Sequence, residues 1–247
     1  MPHNKIKDAF LSAVNSVIAD PEQFAVNPEK DFTRQRKITP DTLISFLVSK
    51  GSSSARVEML DFWGLDQEMP SLPALNQQRA KLKPEALEAV LAGVNDSVSR
   101  LAGFPTSDDG YRYLAADGST TTFFSSPKLA PPQYFCSPGH SSSGVYCIHI
   151  NAFFDLDAHI YTDAILQPVH EKNEFGAFCH IVDRHGTLPG RKNVYIGDRG
   201  YCSYNNMAHV VEQGQYFLFR TKDIHSKGLV GNFEFPETES FDIDVAV

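Results

Sequence analysis

Tyr113-Leu114-Ala115-Ala116-Asp117-Gly118-Ser119 and Val194-Tyr195-Ile196-Gly197-Asp198-Arg199-Gly200 decide how this chain folds. Each is a short apolar run that suits a half-buried strand and ends in an aspartate, with a glycine within two positions. An aspartate after a strand is usually a turn former, and both runs carry that chemistry on their face. Their shared placement sets them apart: strand ends packed side by side hold two carboxylates at a fixed separation. Carboxylates held in this way attract a hard divalent cation such as Mg²⁺, and such a cation suits phosphodiester chemistry.

Outward from these runs, the second half of the chain reads as strands and then as strands alternating with helices. Tyr111 to Ala116, Val145 to Phe154 and Ala158 to Leu166 are expected strands, the last two joined through Asp155-Leu156-Asp157 as a tight hairpin. A helix over about 174–183, a strand over Asn193 to Gly197, a helix over Asn205 to Gln213 and a strand over Gln215 to Arg220 follow. The order β-β-β-α-β-α-β implies a fold of the α/β class, with a mixed sheet whose alternating part is parallel.

The first hundred residues read as helical. Ile6, Phe10, Val14, Val17 and Ile18 recur at helical spacing, and Thr39-Pro40-Asp41 supplies a start signal before Leu43, Ile44, Leu47 and Val48, with Gly51 past the end. Pro84 opens a further helix striped by Leu87, Val90, Leu91, Val94, Val98 and Leu101, and Ser71 to Leu82 supplies a shorter one before it. Gln77, Gln78, Arg79 and Lys81, displayed together, suit a helix-turn-helix-like DNA reader; the bare pattern suits a packing bundle equally well. Trp63 reads as a packing residue.

A formal net charge of −8 argues at first against nucleic acid, because phosphate binding normally leaves a basic footprint. More than half of that charge lies in residues 223–247, where Asp223, Glu234, Glu237, Glu239, Asp242 and Asp244 face only Lys227. Residues 71–83 hold Arg79, Lys81 and Lys83 with no acid, and Arg34, Arg36 and Lys37 form a second cluster, which lends DNA binding weak support against the commoner reading of a solvated charged face. Cys136, Cys147, Cys179 and Cys202 include no CxxC pair, so reduced thiols are expected, and the proximity of Cys136 to His140 and of Cys147 to His149 lacks the spacing of a zinc site. No apolar stretch is long enough for a membrane span or a signal sequence, which gives an expected cytoplasmic location.

The blocks from Leu114 to Thr120 and from Val194 to Tyr201, followed by Tyr216-Phe217-Leu218-Phe219-Arg220, resemble the catalytic core of bacterial DDE insertion-sequence transposases of the insertion-sequence-four type. The likeness also takes in Asp31-Phe32-Thr33-Arg34, Leu43-Ile44-Ser45-Phe46 and Gln78-Arg79-Ala80-Lys81, and so runs from about residue 30 to 222. It implies an RNase-H-like mixed sheet core over 104–222, preceded by an all-helical, DNA-binding region over 1–103 and followed over 223–247 by the start of a β-rich insertion. It implies further that Asp117 and Asp198 are catalytic and hold Mg²⁺ or Mn²⁺, with Arg79, Lys81, Arg199, Arg220 and Lys222 as candidate contacts to double-stranded DNA at transposon ends. A bacterial, nucleoid-associated location and a homodimer belong to the same expectation.

The resemblance breaks at one point. The family's third acid lies in a Tyr-x2-Arg-x3-Glu-x6-Lys signature, and none of the nine tyrosines here has an arginine three positions later. Phe241-Asp242-Ile243-Asp244-Val245-Ala246-Val247 alternates like a strand begun without its sheet. The expectation is therefore a carboxyl-truncated transposase impaired in strand transfer, the alternative being a non-catalytic derivative that binds DNA or pairs with other subunits. Glu171, Glu174 and Glu212 read as surface charge. His170-Glu171-Lys172-Asn173-Glu174 lacks the second histidine of a zinc protease, Ser141 to Ser143 lack the nucleophile elbow of a serine hydrolase and read as a flexible loop, and no phosphate-binding loop for an NTPase is present.

Overall fold

The computed structural model describes residues 3–65, 69–101, 103–137, 144–188, 190–222, 228–238 and 240–244. His140, Ser141 to Ser143, Asp223, Lys227, Glu239 and Val245 to Val247, which figured in the sequence reading, lie outside the described residues. The chain divides into two compact units, Met1–Phe104 and Pro105–Val247.

The first unit is helical. Helix α1 (His3–Ile18) packs along α6 (Glu85–Ser99), and Gly93 permits the close approach, since a Cβ there would stand 3.0 Å from the Ala13 methyl. Helices α2 (Pro21–Phe24), α3 (Pro40–Ser49), α4 (Ala55–Trp63) and α5 (Leu72–Arg79) complete the unit. Val14, Phe24, Leu43, Ile44, Phe46, Met59 and Val90 form its core. Trp63 packs against that core, its ring centroid 4.9 Å from Phe46. Thr39 stands at the N-cap of α3, but its hydroxyl pairs with Thr42 at 2.8 Å rather than with the backbone.

The second unit is a six-stranded mixed sheet with helices against it, so the α/β class expected from the sequence stands. Strands β1 (Tyr111–Phe123), β3 (Val145–Asp155) and β4 (Ile160–Pro168) form an antiparallel meander, with the short β2 (Phe135–Cys136) on the β4 side of β3. Helix α7 (Glu174–Arg184) leads to β5 (Lys192–Gly197), which pairs parallel with β1, and α8 (Tyr204–Glu212) leads to β6 (Tyr216–Phe219), parallel to β5. The sheet order β2-β3-β1-β5-β6 thus places the first long strand beside β5. Leu114, Phe153 and Tyr195 on the sheet and Phe178, Ile181, Val182 and Val210 on the helices make the core beneath. At one end of it Arg112 and Asp155 form a buried ion pair at 2.7 Å, and Asp155 also accepts from the amides of Asp157 and Ala158, which closes the β3–β4 hairpin.

Two local expectations fail. Strand β1 does not stop at Ala116 but continues to Phe123, because ten of its residues pair with β3 and that ladder overrides the turn chemistry of Asp117-Gly118-Ser119. Residues 241–244 form no strand; they are exposed, and no described strand pairs with them, so their alternation has no sheet to act on. Cys136, Cys147, Cys179 and Cys202 are all free, the second and third buried.

Candidate active site

Strand register sets the geometry of the two aspartates. The last β1–β5 partners are Ala115 and Ile196, and Asp117 and Asp198 each stand two residues further on, on neighbouring parallel strands. Both are therefore level at the C-terminal ends of β5 and of the parallel part of β1, and both are exposed. On the far side of β5, Gly197 pairs with Phe219, and the Arg220 amide donates to the Gly197 carbonyl at 3.0 Å, so Arg220 lies level with the aspartates on the third parallel strand. C-terminal strand ends in open α/β sheets are where ligands bind. Arg199 lies in the turn after Asp198, and Lys222 is two residues past Arg220; all three cations are exposed.

Each aspartate is braced by a nearby amide. Asp117 Oδ1 accepts from the Gly118 N–H at 2.9 Å, and Asp198 Oδ1 accepts from the Gly200 N–H at 2.7 Å. Among the described residues neither Oδ2 makes a hydrogen bond, so each carboxylate keeps one oxygen available. Beneath them Tyr201 is 3% exposed, and its hydroxyl has no partner among the described residues. Burial, then the charges of Glu174, Asp117 and Asp198, pushes that hydroxyl well above the usual tyrosine range. Three carboxylates thus act on one buried phenol.

Sequence reasoning did not anticipate the third of them. Glu174, taken above for surface charge, opens α7, and Asn173 caps that helix by accepting from the Gly176 amide at 2.9 Å. Its side chain is 32% exposed and turns to the sheet: Oε1 lies 3.2 Å from Nε2 of His149, which is 2% exposed. A Cβ on Gly118 would stand 3.0 Å from Glu174 Oε1 and 3.1 Å from His149 Nε2, and one on Gly200 would stand 2.9 Å from Asp198 Oδ1 and 3.9 Å from Glu174 Oε2. Both glycines beside the aspartates therefore open space that Glu174 reaches. Glu171 and Glu212 are exposed, as expected.

A hard dication suits these donors. The available oxygens are carboxylates, and Mg²⁺ usually takes only one or two protein carboxylates, keeping water or substrate phosphate for its other positions. Among the described residues no group of three or more acidic, histidine or cysteine side chains is arranged to hold a metal ion.

The remaining candidates lie in the first unit. Arg79 is the exposed last residue of α5, and Lys81 lines a hollow with Lys30, Arg34 and Arg36. Pairing of Ala25 with Leu82, with the Val26 amide donating to the Lys81 carbonyl at 2.9 Å, brings these cations together from separate parts of the sequence. Lys81 Nζ sits 5.9 Å over the Phe32 ring, whose residue takes the left-handed backbone at φ 58°. No described helix is long and apolar enough to cross a membrane.

Comparison with curated proteins yields no match. Comparison with protein families matches residues 108–234, just over half of the chain, to the transposase DDE domain, a family whose members act on DNA and generally use a divalent metal. The matched stretch contains Asp117, Asp198, Arg220 and the sheet that aligns them, and the chain belongs to the transposase DDE domain family.

Proposed function

We propose that this transposase is of the insertion-sequence-four type and cleaves and joins phosphodiester bonds at transposon ends, with residues 104–222 as an RNase-H-like core and 1–103 as a DNA-binding region. The observation that carries the reading is the placement of Asp117 and Asp198, each two residues beyond the last pair of adjacent parallel strands. In this reading the two aspartates hold Mg²⁺ or Mn²⁺ through the oxygens their neighbouring amides leave available. When bound, the ion supplies Lewis-acid activation of the attacking water or 3′-hydroxyl and stabilises the leaving oxygen. The amides of Gly118 and Gly200 fix the carboxylate orientations. Arg199, Arg220 and Lys222 contact phosphates beside the scissile bond, and Arg79 and Lys81, with Lys30, Arg34 and Arg36, also contact the duplex backbone.

The test is incubation of the full chain with a plasmid carrying the chromosomal DNA that flanks its coding sequence, in Mg²⁺ or Mn²⁺. Nicked or linear product that disappears with chelator, and falls more than about a hundredfold in Asp117→Ala and Asp198→Ala, is the expected result. Cleavage that persists in both variants overturns the assignment, and binding without cleavage in the unaltered chain supports the non-catalytic alternative.

A further inference from the structure

From Gly118 to Phe154 the chain holds no aspartate or glutamate, in a sequence whose formal net charge is −8. This stretch opens with the part of β1 that pairs with β3 alone, and there Asp117, Ser119 and Thr121 alternate along one side of the strand, opposite Ala152, Ile150 and Ile148. Thr120 between them turns to the other side, where its hydroxyl meets His149 Nδ1 at 2.9 Å. Ser119 and Thr121 are exposed, and among the described residues no hydrogen bond engages either hydroxyl. Same-side positions on a strand repeat at about 6.7 Å, close to the spacing of successive phosphates along one DNA strand. The two phenylalanines that follow behave differently. Phe123 is pinned, its ring centroid 5.9 Å from that of Tyr134 and 6.0 Å from that of Tyr146. Phe124 is fully exposed and touches no other ring among the described residues. A single exposed apolar side chain needs no explanation in itself. This one is flanked on both sides by ordered chain, since it follows Phe123 and precedes a turn in which the amides of Leu129 and Ala130 both donate to the Ser126 carbonyl, at 2.9 and 3.0 Å. Lys128, exposed in that turn, makes no ion pair among the described residues. Hydroxyls at phosphate spacing, a cation, an aromatic face and no acid suit a single strand of nucleic acid.

We propose that the extension of β1 beyond Asp117 carries one unpaired DNA strand, with the Ser119 and Thr121 hydroxyls donating to successive phosphates, Lys128 neutralising a further one and Phe124 stacking on a base. The assignment rests on the reading above that places Asp117 at the scissile phosphate. Phe124 comes seven residues later, about 23 Å along an extended chain, so the base it stacks on is roughly three nucleotides from the cut. An aromatic face takes any base, which makes this contact one of strand separation and not of sequence.

The experiment is fluorescence anisotropy of a labelled single-stranded oligothymidylate titrated with the full chain in the presence of chelator, which reads strand binding without metal or turnover. Phe124→Ala is expected to weaken binding about five- to a hundredfold with an unchanged circular dichroism spectrum. Phe124→Trp binds at least as tightly as the parent, and its indole emission falls on binding by more than that of Trp63 in the parent. Lys128→Gln reduces the slope of log affinity against log salt by about 0.7, whereas Ser119→Ala combined with Thr121→Val weakens binding and leaves the slope as it was. Parent affinity in Phe124→Ala, beside cleavage that still depends on Asp117 and Asp198 in the plasmid assay, overturns the strand track and leaves the two-aspartate reading standing. Plasmid cleavage that persists in Asp117→Ala and Asp198→Ala removes the reading and the track with it, and a parent chain that binds no oligonucleotide overturns the track outright. Light scattering on the same samples supplies the last outcome: a parent dimer that Phe124→Ala converts to monomer gives this margin of β1 to a second copy of the chain instead of to DNA.

Discussion

Gly118 shows how much of the site depends on a residue with no functional group. Its backbone is ordinary strand, so its value is not conformational freedom; it is the empty volume that Glu174 Oε1 and His149 Nε2 fill at 3.0 and 3.1 Å. Gly118→Ala is therefore expected to cost roughly 1–3 kcal/mol of stability, since the added methyl meets the buried His149 ring as well as the Glu174 carboxylate. The methyl presses on the imidazole and the carboxylate together, and a lowered urea midpoint is the outcome to measure. Gly200 differs, because its crowding comes from Asp198 Oδ1, which its own amide holds.

Among the elements, β1 bears the most. It is the strand that joins the antiparallel meander to the parallel half, and Arg112 near its start pairs with Asp155 at the end of β3 in a buried contact. Asp155→Ala leaves that guanidinium buried without its partner and frees the amides of Asp157 and Ala158, so a loss of about 3–5 kcal/mol in urea unfolding is expected. The sequence made most of these elements legible. Alternation in Val145–Phe154 and the helical stripe of 84–101 survive in the structure because local pattern and tertiary contact agree there. The continuation of β1 through Asp117-Gly118-Ser119 was not legible, since a local turn signal lost to a ladder with β3 that no short window contains. Helices α2 and α4 were missed for want of length and of a periodic stripe. The strand-end placement of both aspartates could be read from their apolar lead-in, whereas Asn173-Glu174 shows in sequence only a cap and a first-turn acid; the contact of Glu174 with His149, 25 residues earlier, comes from tertiary packing.

Across the whole molecule, the response to acid follows from a histidine away from the carboxylates. His185 is lowered to about 4, by burial first and by the Arg112 charge second, with Asp163 and Asp155 opposing. The unfolded chain binds this proton near the ordinary histidine value while the folded chain refuses it, so stability is lost as pH falls from about 6.5 toward 4. The share of this one group is roughly 3 kcal/mol. Replacing it, as in His185→Asn, is expected to flatten the pH dependence of unfolding in that window relative to the parent, as followed by urea melts at stepped pH. Substrate access follows from the unequal lengths of two neighbouring strands. Strand β5 leaves β1 after Ala115, yet β1 runs on to Phe123 against β3 alone, so from Asp117 onward one margin of its main chain has no described strand beside it. Both acids are exposed there. In the proposed reading, carboxylates so exposed can meet a polymer at an internal position, with no free terminus to be threaded.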